Sequence, residues 1–305
     1  MSKPKTKRKP AAGNVAGASK TRKWLKSLAE MEYRKMVLYP LVVFLVALVL
    51  LAVNFPTLGI DLQGGVVVTA YGVDANPDQL AKDLSGKLGV EVRVESFTGV
   101  KSSGVRVYAP TGTDPLKIID AMKDEYPNAE YTHSEVQPTF GKIAQQQGIK
   151  ALIFAFLAMA AVVFLFFRDP VPSFTIIFSA LSDMTIAIAL MGLFGIELTT
   201  ATIAALLMLI GYTVDSNILL TTKLLRRKED TVEDAYLSAV STGFTMSTTT
   251  LGALIMLWII STSQTLDNIA IVLIFGLLAD FMNTWILNAG VLKWYLSRPS
   301  RGGNA

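Results

Sequence analysis

Six apolar segments, each close to the length needed to cross a lipid bilayer as a helix, constrain the fold of this chain most strongly. A spanning helix needs about 20 mostly apolar residues, at a rise of roughly 1.5 Å per residue. Only 17% of the 305 residues are charged, against roughly 25% in soluble domains. The sequence therefore predicts a polytopic α-helical membrane protein with six transmembrane helices. The segments comprise residues 36–53, 149–167, 174–194, 198–220, 242–260 and 266–292.

Outside residues 54–150, lysine and arginine fall into four segments that alternate with these spans. Eleven of the 28 basic residues precede residue 36, and the other segments are Arg168, Lys223–Lys228 and Lys293–Arg301. Cytoplasmic loops of membrane proteins carry an excess of Lys and Arg, whereas the intervening loops at Glu197 and Asp267 contain neither. We therefore predict a multi-pass protein of the cytoplasmic membrane with both termini in the cytoplasm.

This orientation divides the chain into a basic cytoplasmic tail, a first span, an extracytoplasmic domain, five further spans and a second cytoplasmic tail, at residues 1–35, 36–53, 54–147, 148–292 and 293–305. The extracytoplasmic segment alternates strand and helix patterns in the order β-α-β-β-α-β, which is typical of the ferredoxin-like α+β fold. Asn76 and Thr113 are the predicted N-caps of its two helices. The predicted elements are Val66–Val73, Pro77–Leu88, Val90–Phe97, Val105–Ala109, Thr113–Tyr126 and Ala129–Val136.

A shorter amphipathic segment, residues 229–240, follows the fourth span. Val232, Tyr236 and Val240 recur every four residues, so that they share one helical face. We predict a helix that lies on the cytoplasmic membrane surface before the fifth span begins.

Three aspartates lie inside predicted spans: Asp183 in the third, Asp215 in the fourth and Asp280 in the sixth. A carboxylate at the bilayer centre costs about 2.5–3.5 kcal/mol, and no Lys or Arg lies in the central part of any span. Each acid should therefore face protein or water, where loss of hydration favours its neutral form. A proton path and interhelical hydrogen bonding both account for such residues. Their polar neighbours include Ser179, Thr284, Asn288 and the fifth-span hydroxyl residues Thr242, Thr245, Ser247, Thr248, Thr249 and Thr250.

Residues that carry enzyme chemistry are scarce in this sequence. The chain has no Cys and a single His, His133, which lies in a predicted strand. The sequence contains no nucleotide-binding loop, nucleophile–base set or metal-ligand spacing, and Gly64-Gly65 is interpreted as a tight turn at the entry to the outside domain. We therefore expect no catalytic residue, no cofactor, no metal site and no nucleic-acid partner.

Three motifs resemble those of the SecD/SecF family, a branch of the RND (resistance-nodulation-division) transporter superfamily. Gly59–Gly65 (GIDLQGG) follows the first span, Val136–Gly141 (VQPTFG) leads into the second, and Gly211–Leu220 (GYTVDSNILL) lies in the fourth. The resemblance covers about residues 36–295, and the motif in the fourth span is the most specific. The motif residues of interest are Gly59, Asp61, Gly64, Gly65, Gly211 and Asp215.

The resemblance implies both a fold and a role. It implies six helices that form half of an RND-type body, one ferredoxin-like extracytoplasmic domain, and an accessory role in proton-gradient-dependent protein export. The implied partners are SecD, the SecY channel complex, exported polypeptides and membrane lipid. Asp215 matches the family's proton-path carboxylate, whereas Ser241–Phe244 lacks the Arg that bacterial members often carry near the start of the fifth span.

The position of the chain within the family is indicated by conflicting features. The outside domain of about 90 residues favours the branch with the smaller domain, whereas Leu62-Gln63 in the first motif is closer to the branch with the larger one. Val214–Ser216 and Thr221–Lys223 resemble archaeal rather than bacterial members.

Two other functions fit the same sequence. A small-molecule or lipid transporter of the wider RND class would carry its substrate through its own helices, but such pumps usually have a two-fold repeated body. A purely structural subunit would stabilise a partner without moving protons. Recovery of a SecD-like partner together with channel subunits would favour the export role over both.

Overall fold

The computed structural model describes residues 31–98, 103–226, 231–261 and 263–297. Six helices in these ranges are long and apolar enough to cross a membrane, which confirms the predicted fold class. In chain order the elements are α1 (Tyr33–Val53), α2 (Ile60–Gln63), β1 (Gly65–Tyr71), α3 (Pro77–Leu88), β2 (Arg93–Thr98), β3 (Ser103–Ala109), α4 (Pro115–Lys123), β4 (Glu130–Val136), α5 (Pro138–Phe167), α6 (Pro170–Leu193), α7 (Thr200–Leu225), α8 (Val232–Ile260), α9 (Gln264–Met282), a π-helical segment (Asn283–Asn288) and α10 (Ala289–Leu296).

Several predictions concern residues outside the described ranges. They are the basic tail before residue 31 and the basic residues at positions 227–228, 298 and 301. The division of the chain into domains and the cytoplasmic placement of its termini stay predictions.

Strands β1 to β4 form one antiparallel sheet in the order β2-β3-β1-β4. β1 lies between β3 and β4, and β3 lies between β1 and β2, as two interleaved β-α-β units require. α3 and α4 pack against the sheet over the alternate, inward-facing residues of β1 and β3. The predicted ferredoxin-like order is confirmed. The core of this domain includes Val66, Val68, Ala70, Leu84, Val105, Val107 and Ile118.

Both helices of this domain begin at a capping side chain. Asn76 Oδ1 accepts hydrogen bonds from two backbone nitrogens of the first turn of α3, at 3.0 and 3.4 Å, as predicted. The prediction of Thr113 as the cap of α4 is wrong, because Asp114 Oδ1 accepts the equivalent bond at 2.9 Å. Pro115 then occupies the first helical position, where its missing N–H is not needed.

Two spans begin ten or more residues earlier than predicted, at 138 instead of 149 and at 232 instead of 242. α5 starts at Pro138, because the fixed φ of proline suits the first position of a helix. α8 starts at Val232, so the prediction of a separate surface helix over residues 229–240 is wrong. Tyr236 is fully buried, and its hydroxyl donates a hydrogen bond to the carbonyl oxygen of Trp285 (2.9 Å). The apolar face of this segment therefore packs on the last span.

The centre of the bundle is formed by α6, α7 and the last span, which runs from Gln264 to Leu296. α1, α5 and α8 are largely exposed at its periphery. α7 and α9 approach closely at Gly276, since a Cβ atom there would overlap the side chain of Leu209. The three central helices are those that carry the three aspartates.

Candidate functional site

Asp183 and Asp280 lie together in the interior of the bundle. Asn283 Nδ2 donates a hydrogen bond to Asp183 Oδ1 (2.7 Å). Asp280 accepts hydrogen bonds from Ser216 Oγ (2.7 Å) and Thr284 Oγ1 (2.6 Å). These contacts join α6, α7 and the last span into one polar centre, which we define by these five residues.

The π-helical segment supplies much of this polar centre. Such segments widen a helix locally and are frequent at functional sites. Asn283, Thr284 and Asn288 in this segment are fully buried. Asn288 Nδ2 donates to Asn217 Oδ1 of α7 (2.6 Å), which extends the hydrogen-bonded network toward the C-terminal end of that helix.

Asp215 lies apart from the polar centre, on an exposed side of α7. Thr213, two residues before Asp215, and Ser216, the residue after it, are both buried. The exposed residues of α7 that share a face with Asp215 form a stripe, which we call the outer stripe: Ala204, Met208, Gly211 and Asp215. The structure thus brings together two of the three predicted acids and separates the third.

The hydroxyl residues of α8 do not line the interior of this chain. Thr242, Thr245, Thr248 and Thr249 are exposed. The Thr245 hydroxyl donates to the carbonyl oxygen of Ser241 (3.0 Å), and the Thr249 hydroxyl donates to that of Thr245 (3.1 Å). Because these hydroxyls bond within their own helix, they are compatible with a surface that faces lipid or a partner.

The first motif attaches the outside segment to the start of α7. Asp61 Oδ2 accepts a hydrogen bond from the backbone nitrogen of Thr200, the first residue of α7. The backbone nitrogen of Gly59 donates to the carbonyl oxygen of Leu198 (2.8 Å). A carboxylate at a helix N-terminus satisfies free N–H groups and complements the helix dipole. Sequence reasoning missed this role, because Asp61 and Thr200 are 139 residues apart and no local pattern links them.

Glycines let the first two motifs pack against each other. A Cβ atom on Gly141 would lie 2.7 Å from the carbonyl oxygen of Leu62 and 2.9 Å from the nitrogen of Gly64. Gly64 has a φ of 78°, in the left-handed region that favours glycine, as the tight turn requires. The motifs therefore join the outside domain to α5 as well as to α7.

We expect Gly141→Ala to destabilise this junction, because the new methyl group would overlap backbone atoms. Overpacking of this kind costs about 1–3 kcal/mol. Gly86→Ala is the matched control, since nothing lies within 4 Å of its Cβ position and alanine favours the helix α3. Thermal unfolding of the purified chain in detergent should show a lower midpoint for Gly141→Ala only. Equal midpoints for the two variants would contradict tight packing at the junction.

An ion pair also links the outside domain to the loop before α7. Arg93 Nη2 of β2 lies 3.0 Å from Glu197 Oε1. Burial raises the pKa of the Glu197 carboxyl, and the neighbouring Glu95 carboxylate adds to this rise. The hydrogen bond from Tyr108 and the charge of Arg93 oppose it. The ion pair is therefore complete above the pH at which Glu197 loses its proton, and it is lost as the pH falls through that value.

The described residues do not build a metal site. Among them, no group of three or more His, Asp or Glu side chains converges, and His133 lies exposed on β4. The titratable side chains at the centre of the bundle are two carboxyls. Carboxyls can bind, hold or release a proton, which is the chemistry that this arrangement supports.

A protein family and individual proteins of known name are similar to this chain in sequence. The family described as protein export membrane protein SecD/SecF, C-terminal, matches residues 117–298. A protein-export membrane protein SecF of Thermococcus gammatolerans is 67% identical over 305 residues, covering 97% of this chain and 95% of that protein. The SecF of Pyrococcus furiosus is 60% identical over 280 residues, covering 90% of this chain and 95% of that protein.

The fold also has a solved counterpart. SecDF of Thermus thermophilus, described as a translocon-associated membrane protein, matches with a TM-score of 0.72 at 21% identity and covers 87% of this chain. This chain spans 38% of the length of that SecDF chain.

Six spans, a ferredoxin-like domain between the first two, and acids in the central helices define a polytopic membrane protein with the fold of the matching part of SecDF. The chain belongs to the SecD/SecF family of protein-export membrane proteins, in its archaeal SecF branch. The small outside domain was therefore the better guide to the branch, and Leu62-Gln63 was misleading.

Proposed function

We propose that this chain is an accessory subunit of the Sec protein translocase, which acts with SecD to promote proton-gradient-dependent protein export across the cytoplasmic membrane. The observation that carries the proposal is the 67% identity to a protein-export membrane protein SecF over 97% of this chain. That similarity extends over all three motifs, over the outside domain and over the six spans. The two proteins therefore share the outside domain and the six spans on which a role in protein export would depend.

SecD is the proposed partner. The SecDF chain is more than twice as long as the part that matches this protein, and a SecD-type half would complete the RND-type body. The outer stripe leaves Gly211 and Asp215 at the surface of this chain, where a second six-helix half could cover them. Because the SecDF protein is described as translocon-associated, the SecY channel complex and exported polypeptides are the further partners that we propose.

Asp215 is the proposed proton-path carboxylate. On the outer stripe it would lie at the junction between the two halves, where its ionised form is costly and its neutral form is tolerated. Uptake or release of one proton at this junction would then favour one arrangement of the halves over another. The energy of the gradient could in this way drive a conformational cycle of the outside domains.

Depletion of this chain from cells tests the proposed function. We expect export of a reporter with a signal sequence to slow, and the wild-type chain to restore it. Purification in mild detergent should recover a SecD-like partner and channel subunits. Normal export after depletion, with no such partner recovered, would contradict the proposal. Loss of resistance to small toxic compounds instead of loss of export would favour the transporter alternative.

A cysteine at Ser103 should react with a membrane-impermeant thiol reagent added to intact cells, because the distribution of Lys and Arg predicts that the outside domain is extracytoplasmic. The chain contains no other Cys, and Ser103 is exposed at the start of β3. Ser297→Cys, at the exposed end of the last span, is the control and should react only with a permeant reagent. The reverse pattern of labelling would show that the predicted topology is inverted.

A further inference from the structure

The proposed function leaves the two buried acids without a role. Asp183 and Asp280 are 0% and 1% exposed, whereas Asp215 is at the surface of the chain. In the part of the chain that the structure describes, the ion pairs within 4.0 Å involve Glu32, Glu95 and Glu197 and neither of these acids. Two carboxyls therefore lie in the interior of the bundle with no basic side chain to neutralise them.

Two neighbouring carboxylates in such a site cannot both be charged at a reasonable cost. A buried charge without a counterion is strongly destabilising, and a second like charge nearby raises that cost further. Carboxyl pairs that share one proton are the usual solution. The hydrogen-bond partners of the two acids differ, and they indicate which acid is better placed to hold the proton.

Asp280 has the partners of a carboxylate. Both of its oxygens accept hydroxyl hydrogen bonds, from Ser216 Oγ at 2.7 Å and from Thr284 Oγ1 at 2.6 Å. Lengths of about 2.5–2.7 Å are typical of a hydroxyl that donates to a charged oxygen. The two donors leave Asp280 able to carry the negative charge of the pair.

Asp183 has the partners of a neutral carboxyl. Its Oδ1 accepts one amide hydrogen bond from Asn283 (2.7 Å), while its Oδ2 is buried and receives no hydrogen bond. The Thr213 hydroxyl lies beside this carboxyl, and Thr213 Oγ1 is also buried without a hydrogen-bond partner. A proton on Asp183 Oδ2 could be donated to Thr213 Oγ1, which would satisfy two buried atoms with one bond.

We propose that Asp183 and Asp280 form a carboxyl–carboxylate pair that holds one proton inside this chain, with the proton on Asp183 and the charge on Asp280. The pair is built from contacts within this chain, so it exists whether or not the chain promotes export. It is also distinct from Asp215, because the two sites lie on different sides of α7.

Helix α7 connects the two sites. Thr213 and Ser216 contact the pair from one side of the helix, and Asp215 belongs to the outer stripe on another. In the described residues, Asn283 and Thr284 also donate hydrogen bonds to the pair, and neither side chain titrates. Loss of the proton from Asp183 would therefore act first on Asn283 and on Thr213, which is two residues before Asp215 on α7.

Infrared spectroscopy of the purified full-length chain in lipid nanodiscs tests this proposal. A protonated carboxyl gives a carbonyl band that shifts on transfer to D₂O. At pH 8, solvent-exposed Asp and Glu are ionised, since their pKa values are about 4. The measurement uses the Asp215→Asn chain, in which Asp215 cannot contribute a band. We expect one protonated-carboxyl band in this chain and its loss when Asp183→Asn is added.

A second variant keeps the proposal testable if Asp183→Asn does not fold. Thr213→Val removes the hydroxyl that would accept the proton but retains the shape, so the band should remain and change its frequency. Absence of a band in the Asp215→Asn chain would overturn the proposal. So would a band that persists with Asp183→Asn and is lost with Asp280→Asn, or a band whose frequency Thr213→Val leaves unchanged.

Discussion

Replacing Asp215 with asparagine should abolish the part of protein export that depends on the proton gradient, while the chain still inserts, folds and binds SecD. Asparagine keeps the shape and polarity of aspartate but cannot ionise. One charge that falls through 100 mV yields about 2.3 kcal/mol, which shifts a two-state equilibrium roughly 50-fold. The measurement is export of a reporter into inverted membrane vesicles, with and without an uncoupler. With Asp215→Asn, the two rates should be equal.

Two further variants sharpen this test. Asp215→Glu retains an ionisable group on the outer stripe and should keep part of the gradient dependence. Asp120→Asn makes the same chemical change at an exposed position of α4, away from the spans, and should have no effect. Full gradient-dependent export with Asp215→Asn at normal expression would rule out the proton path. Loss of SecD binding in that variant would indicate a structural role instead.

Gly211→Leu should prevent stable assembly with SecD without destabilising the chain itself. Nothing in this chain lies within 4 Å of the Cβ position of Gly211, and leucine is the better helix former. Small residues at helix surfaces permit close approach of a partner helix in membranes. A leucine on the outer stripe would hold the partner away from Asp215, and a cost of about 1.4 kcal/mol already weakens binding tenfold.

Co-purification of SecD with the tagged chain measures this effect. Recovery of SecD should fall about tenfold or more for Gly211→Leu, by the conversion of 1.4 kcal/mol to a factor of ten. Ala52→Leu is the matched control, since Ala52 is exposed on α1, which packs on α6 and the last span. Equal recovery of SecD with both variants would show that the outer stripe is not the contact surface.

The spans and the order of the outside domain were predictable, because both depend on local properties of the sequence. Hydropathy over about 20 residues is enough to identify a spanning helix, and all six were found. Strand alternation and the cap at Asn76 similarly indicate elements from their own residues. The first residues of helices were predicted less accurately, as the cap at Asp114 instead of Thr113 shows. The segment 229–240 was wrongly separated from the fifth span, because the continuation of a helix depends on what it packs against.

The sequence by itself therefore determined that this chain crosses the membrane six times and carries three acids within the spans. Only the tertiary structure decided how those acids are divided. Asp183 and Asp280 lie close together in the interior because α6 and the last span pack against each other. Asp215 lies on an exposed side of α7, although the next residue, Ser216, is buried. The role of Asp61 likewise depends on a partner 139 residues away. Contacts between distant segments arise from packing, and no local pattern of residues encodes which faces of the helices will meet.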